Sequence, residues 1–222
     1  MNAESLNIST SNGPTTAYVA LPSEGVSAAV ILIQEWWGIN EHIRDLAGRY
    51  ADEGYLCIAP DLYRGRLAKD AEEASALMHA LAIEDGIETI RRSLATTEET
   101  YEIRQFAITG YCMGGTFALR AACEIPELEA AAPFYGDIPE EDVLKNLKVP
   151  TLFIAGKRDT WINEEKVDGL KEIASKYNLP LKVISYDADH AFFNDTRPEV
   201  YNAEAAADAW RRVLEHFKIH LH

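Results

Sequence analysis

The chain predicts an α/β fold, a mostly parallel central sheet flanked by helices on both faces. Three observations carry this. From residue 28 onward, short unbroken apolar runs alternate with helical patterns, as expected for strands buried on both faces with helices between them. Several of these runs end in loops that carry glycine, aspartate or histidine. One run, within Ile108-Thr-Gly-Tyr-Cys-Met-Gly-Gly-Thr116, passes straight into a helical pattern with Cys112 at the corner.

In order, Leu6 to Thr10 and Thr15 to Ala20 flank Asn12-Gly13 and read as two antiparallel strands joined by a turn. Ala28 to Ile33 is a buried strand that delivers Gln34-Glu-Trp-Trp-Gly38 to its carboxyl end. Asn40 caps a helix from Glu41 to about Asp52 whose apolar stripe is Ile43, Leu46, Ala47 and Tyr50, and Gly54 ends it. Tyr55 to Ala59 is the next strand, and Pro60 to Gly65 leaves it as a loop. Helical patterns follow at Ala71 to Ala82 and Glu84 to about Glu99. The strand Phe106 to Gly110 leads to Cys112 and a helix over Thr116 to Cys123. Ala130 to Tyr135, Thr151 to Ala155 and Leu181 to Tyr186 are further strands, with helices at Glu164 to Tyr177 and Tyr201 to His220. In such a sheet the ligand site lies beyond the carboxyl ends of the strands.

Composition narrows the function. The 222 residues contain no Pro/Gly/Ser-rich spacer, low-complexity run or internal repeat, and 47% are hydrophobic, so one domain over residues 1–222 is expected. A net charge of −15, from 36 acidic against 21 basic residues, argues against nucleic acid or an anionic membrane as partner. Cys57, Cys112 and Cys123 lack metal-ligand spacing, and an odd number of cysteines does not suggest a disulfide framework. The N-terminus has no basic region followed by an apolar run, and no stretch approaches about 18 apolar residues. A cytoplasmic protein, monomeric or a small homo-oligomer, is expected.

The corner at Cys112 has the form Gly-x-nucleophile-x-Gly, with cysteine in place of serine. Gly110 and Gly114 flank it where strand and helix pass too closely for a Cβ. A thiol at a helix N-terminus feels the positive end of the backbone dipole, and the same N–H groups can bind an oxyanion. A cysteine is also often simply a packed core residue. Two later strand ends favour chemistry: Ala155-Gly-Lys-Arg-Asp159 ends in an acid, and Tyr186-Asp-Ala-Asp-His190 in a histidine. The order nucleophile, acid, histidine is that of an α/β-hydrolase triad. Asp137, Asp187 and Asp189 compete with Asp159 for the acid's role. The other histidines, His42, His79, His216, His220 and His222, lie in or beside helical patterns and are expected at the surface.

With these residues in hand, the chain resembles the dienelactone hydrolase family, small α/β-hydrolases with a cysteine nucleophile. The resemblance rests on Gln34-Glu-Trp-Trp-Gly38, Ala59-Pro-Asp-Leu-Tyr63, Gly110-Tyr-Cys-Met-Gly-Gly115, Ala155-Gly-Lys-Arg-Asp159 and Asp189-His-Ala-Phe192. It implies Cys112 as nucleophile, His190 as base, Asp159 as orienting acid, and the main-chain N–H groups of Trp36 and Met113 as oxyanion hole. It further implies that Glu35, whose family counterpart contacts the nucleophile, holds the thiol protonated until substrate arrives. Members acting on dienelactone carry two arginines for the substrate carboxylate. Here Asn194 and Ala71 stand near those places, leaving Arg64, Arg66 or Arg197 as substitutes. Trp37, Tyr63, Trp161, Phe192, Phe193 and Asn194 are expected to line a substrate pocket.

The expected activity is hydrolysis of a small ester or lactone through an acyl-cysteine, with no metal or organic cofactor. Three alternatives stand beside it. They are a thioesterase or other acyl hydrolase, a silent ligand-binding protein that keeps the fold, and a redox protein using Cys112 as sensor. The complete triad disfavours the second, and the absence of an obvious resolving cysteine disfavours the third.

Overall fold

The computed structural model describes residues 2–221, so the expectation for His222 lies outside the described residues. Among these residues there are eight strands, most of them parallel to their neighbours, and seven helices. The strands are β1 (Asn2–Thr10), β2 (Gly13–Leu21), β3 (Ala28–Ile33), β4 (Leu56–Pro60), β5 (Gln105–Tyr111), β6 (Leu128–Phe134), β7 (Thr151–Gly156) and β8 (Leu181–Tyr186). The helices are α1 (Glu41–Asp52), α2 (Ala71–Ala80), α3 (Ile83–Tyr101), α4 (Met113–Glu124), α5 (Glu141–Leu144), α6 (Glu164–Tyr177) and α7 (Ala203–His220). The contacts group the chain into two compact units, residues 1–107 and 108–222.

In the first unit the strand order is β1-β2-β4-β3. β1 and β2 form an antiparallel hairpin, β2 runs antiparallel to β4, and β3 runs parallel to β4. Thr10 pairs with Gly13, so the loop residues are Ser11 and Asn12, one position earlier than expected. Gly13, at φ +106°, supplies the left-handed conformation that closes this turn. All six residues of β3 and all five of β4 are buried, whereas β1, at the sheet edge, buries only Ile8.

Helix α1 begins where Asn40 accepts a hydrogen bond from the Ile43 N–H at 3.1 Å. It packs its apolar stripe against β2 and β4. His42 lies on that stripe and is buried, 4% exposed, which corrects the expectation of a surface histidine. It precedes Leu46 and Tyr50 by four and eight residues, so helical geometry places all three on one face.

In the second unit the order is β5-β6-β7-β8, with β6, β7 and β8 mutually parallel. Every residue of β7 is buried, and β5 exposes in part only Gln105. α4 and α7 both pack on β6. Asn163 and Asn202 cap α6 and α7 through the N–H groups of Lys166 and Ala205. The short α5 was not anticipated, because four residues are too few to show a helical period.

Candidate active site

All three triad candidates lie in the second unit. β5 ends at Tyr111, Cys112 adopts φ +57° and ψ −116°, and α4 begins at Met113. A cysteine here is in a conformation that L-residues rarely adopt, and such strain persists only where the surroundings impose it. The surroundings are glycine backbones in close contact. A Cβ on Gly110 would lie 2.3 Å from the Gly114 carbonyl oxygen, and one on Gly115 would lie 2.2 Å from that of Phe134. A third glycine, Gly136, was missed in the sequence, and its Cβ would sit 2.1 Å from the Gly115 carbonyl carbon. The signal for it is a glycine directly after a strand, at Tyr135-Gly136. The Cys112 N–H donates to the Phe134 carbonyl at 3.1 Å, and the Cys112 carbonyl accepts from the Thr116 N–H at 3.1 Å. The corner is thereby tied to β6 on one side and to its own helix on the other. The Cys112 side chain is half-buried.

Asp159 and His190 meet across two adjacent strand ends. Asp159 Oδ2 lies 2.6 Å from His190 Nδ1, while Oδ1 accepts from the N–H groups of Trp161 at 2.8 Å and Ile162 at 2.9 Å. Burial pushes the Asp159 carboxyl up, but the His190 bond and the two backbone donors outweigh it and hold it below its ordinary value. An ionised carboxylate only accepts, so Nδ1 carries a proton, and in the neutral ring Nε2 then presents its lone pair. Nε2 is buried and has no hydrogen-bond partner among the described residues. The imidazole sits between two aromatic rings, Trp161 at 4.8 Å and Tyr135 at 5.0 Å between centroids. Tyr135, at φ +37°, follows the residue whose carbonyl holds Cys112, and Ala191, at φ +62°, follows His190. Left-handed backbone therefore occurs at the corner, beside its partner strand and beside the histidine.

The competing acids are engaged elsewhere. Asp137 pairs with Lys166 at 2.7 Å, and Arg158 holds both Asp187 and Asp189. Arg158, adjacent to Asp159 in the chain, was not singled out from the sequence.

Of the residues expected around a substrate, Trp161 is 56% exposed. Phe192 and Phe193 are buried in an aromatic cluster, Phe193 against Tyr111, Phe134 and Trp210, and Phe192 against Tyr135 and Tyr186. Asn194 is buried, and its Oδ1 accepts from both the N–H and the hydroxyl of Thr196. Arg197 pairs with Glu199 at 2.9 Å.

In the first unit, Gln34 to Gly38 leaves the buried β3 as a turn closed by the Gly38 N–H on the Glu35 carbonyl at 3.3 Å. Glu35 is 2% exposed, and the rings of Trp36 and Trp37 meet edge to face at 5.2 Å. Tyr63 is buried, and its N–H donates to Asp61 Oδ1 at 2.9 Å. Arg64 pairs with Asp85 at 2.6 Å, while Arg66 is exposed. Among the described residues, no group of three or more His, Cys, Asp or Glu is arranged to hold a metal ion, and no helix is long and apolar enough to cross a membrane.

The chain is similar to known proteins. Residues 15–221 match the model of the dienelactone hydrolase family. Two relatives are named "Putative carboxymethylenebutenolidase". The one from Aquifex aeolicus is 32% identical over 216 residues, covering 92% of this chain and 93% of its own. The one from Yersinia pestis is 35% identical over 228 residues, covering 92% and 83%. The crystal structure of a "Putative Dienelactone Hydrolase" from Klebsiella pneumoniae superposes with a TM-score of 0.90 at 29% identity, covering 98% of each chain.

The mostly parallel strands, the helices between them and the likeness to this structure define an α/β-hydrolase fold. The chain belongs to the dienelactone hydrolase family. It is accordingly a carboxylic ester hydrolase, a class that includes cleavage of lactones.

Proposed function

We propose that the protein cleaves a small, uncharged ester or lactone through an acyl-cysteine on Cys112. The observation that carries the reading is the Asp159–His190 pair, which leaves an unpartnered, buried Nε2 in the same unit as the Cys112 corner.

His190 Nε2 takes the Cys112 proton, and the thiolate attacks the carbonyl carbon. The leaving alkoxide receives that proton as the C–O bond breaks and the thioester forms. His190 then deprotonates a water that attacks the thioester. The carboxylic acid departs, and the sulfur regains a proton from the imidazolium. Asp159 keeps the proton of the resting imidazole on Nδ1 and stabilises the imidazolium between these steps. The Met113 N–H, first in α4, is a candidate donor to the oxyanion.

The same reading takes residues 1–222 as one domain, with the Trp36 N–H as second oxyanion donor and Glu35 as a brake on thiol ionisation. For these two residues the support is their place in the Gln34-Glu-Trp-Trp-Gly38 motif. An exposed Trp161 packed on the catalytic imidazole supports an aromatic wall for the acyl or alcohol portion. The acidic composition and three free cysteines support a cytoplasmic setting.

The test is acid-quenched intact-mass analysis during turnover of a slow aryl ester. The acyl mass should map to the Cys112 peptide and be absent in Cys112→Ala. Turnover at the wild-type rate by Cys112→Ala would overturn the assignment.

A further inference from the structure

Two loops carry the acid and the histidine, and the backbone joins them only part of the way. The Lys157 N–H donates to the Tyr186 carbonyl at 2.8 Å, and the Arg158 N–H to that of Ala188 at 3.0 Å. Among the described residues, no backbone bond beyond Ala188 ties Asp189 or His190 to the acid loop, and Ala191 then turns the chain through a left-handed residue. Side chains make the remaining connections. On one side Asp159 holds His190. The residues immediately before them form a second connection: Arg158 Nη2 lies 3.2 Å from Asp189 Oδ2, Nε lies 3.4 Å from Asp189 Oδ1, and Nη1 donates to Asp187 Oδ1. The side chains of Arg158, Asp187 and Asp189 are exposed, whereas that of Asp159 is buried. The two loops are thus joined both within the site and on its outer surface.

From this geometry we infer that Arg158 is a positioning residue, an external clamp that fixes His190 on Asp159 and offsets the charge of two carboxylates beside the imidazole. The inference rests on the reading of His190 as base. Lysine would not be equivalent, since a planar fork can bridge two carboxylates while an ammonium acts as a point charge. Half-exposed ion pairs contribute little to stability on their own. Here the consequence is kinetic, because a small displacement of the base is amplified in turnover.

The charged and titratable groups around His190 set the expected pH effects. They are Arg158 and Asp159 on the acid loop, Asp187 and Asp189 on its own loop and the Tyr135 ring after β6, with the Cys112 thiol as the proton donor of the proposed reaction. Removing Arg158 leaves Asp187 and Asp189 uncompensated, which favours the imidazolium and moves the acid limb of kcat/KM to higher pH. Removing the two carboxylates leaves Arg158 uncompensated and moves that limb to lower pH.

The experiment measures kcat, KM and pH profiles for Arg158→Gln, Arg158→Lys and the double variant Asp187→Asn/Asp189→Asn, with Asp159→Asn and Cys112→Ala alongside. Arg158→Gln and the double variant should each lose kcat by about three- to tenfold with KM within about twofold. Their acid limbs should shift in opposite directions. Arg158→Lys should restore the position of the limb but only part of kcat. Wild-type kcat and an unmoved acid limb in Arg158→Gln, or in the double variant should Arg158→Gln not fold, would overturn the clamp even if Tm fell. Full activity in Cys112→Ala or Asp159→Asn would instead overturn the site reading on which the clamp rests.

Discussion

His190 donates its Nδ1–H to Asp159 across 2.6 Å, and the other Asp159 oxygen is held by two backbone N–H groups of its own loop. The carboxylate cannot turn without breaking three bonds, so it fixes both the imidazole's orientation and its tautomer. Asp159→Asn presents either an amide oxygen or an N–H to Nδ1, and the second choice forces the proton onto Nε2. A loss in kcat of roughly a thousandfold or more is expected, with modest change in KM. Asp187→Asn and Asp189→Asn, whose carboxylates face Arg158, should cost far less. Steady-state kinetics on one ester decide this, and a larger loss at either of the latter two would reassign the acid.

The same bonds set a pH dependence of stability. The Asp159 carboxyl is depressed in the folded protein, so its contribution is fully present above the unfolded carboxyl's titration and is lost as pH falls through the folded value. Wild-type stability relative to Asp159→Asn should therefore decline as pH falls below about 4. Thermal melts of both proteins between neutral pH and pH 2.5 would reveal it. Parallel curves would show that the depression is absent.

Much of this was legible in the chain because it depends on local pattern. β3, α1, α6 and β8 have the bounds that apolar runs and Asn caps suggest. The order of Cys112, Asp159 and His190 follows from strand ends alone. What could not be read depends on distant partners. His42 is a polar residue type on an apolar face. Gly136 matters because of Gly115, about twenty residues earlier, and Arg158 because of Asp187 and Asp189, about thirty later. The rings around Phe193 are brought together by β5, β6 and α7.

The glycines at the corner give a stability test. A methyl on Gly136 has backbone carbonyl carbon at 2.1 Å, and backbone cannot rotate aside as a side chain can. Gly136→Ala should destabilise by about 3 kcal/mol or more, or prevent folding. Gly169, inside α6, has nothing within 4 Å of an added Cβ. Gly169→Ala should stabilise by about 0.5–1 kcal/mol through helix propensity. Urea denaturation of the pair checks both signs.

Alkylation should distinguish the three cysteines. Burial pushes the Cys57 thiol far up and Cys123 up to about 12, and Cys123 Sγ donates to the Leu119 carbonyl at 3.3 Å. Neither forms thiolate near neutral pH, and the thiolate is the reactive species. Iodoacetamide at pH 7 should therefore modify Cys112 first, with inactivation tracking that modification by peptide mass. Cys112→Ser should retain little activity, since an alkoxide is much harder to form than a thiolate. Labelling of Cys123 ahead of Cys112 would contradict this order.

The last prediction concerns substrate charge. In arginine-bearing relatives, an anionic substrate is expected to draw the glutamate away from the thiol, coupling ionisation of the nucleophile to binding. Asn194 cannot form that ion pair, and its Oδ1 is engaged by Thr196. Of the possible substitutes, Arg64 pairs with Asp85 and Arg197 with Glu199. Recruiting either for a ligand would break an existing pair, and Arg66 lies exposed to solvent. A substrate carboxylate without a cation in an aromatic-walled site would be costly. The thiol should then ionise through His190 and the N-terminus of α4 without help from the substrate. Neutral aryl esters and lactones should be hydrolysed with higher kcat/KM than carboxylate-bearing analogues of the same size. Glu35→Gln should lower the apparent thiol pKa, read from the pH dependence of iodoacetamide alkylation, because a carboxylate near a thiol opposes its ionisation. A preference for the anionic analogues that disappears on mutating Arg64, Arg66 or Arg197 would show that an anion site exists at that arginine and that the neutral-substrate assignment is wrong.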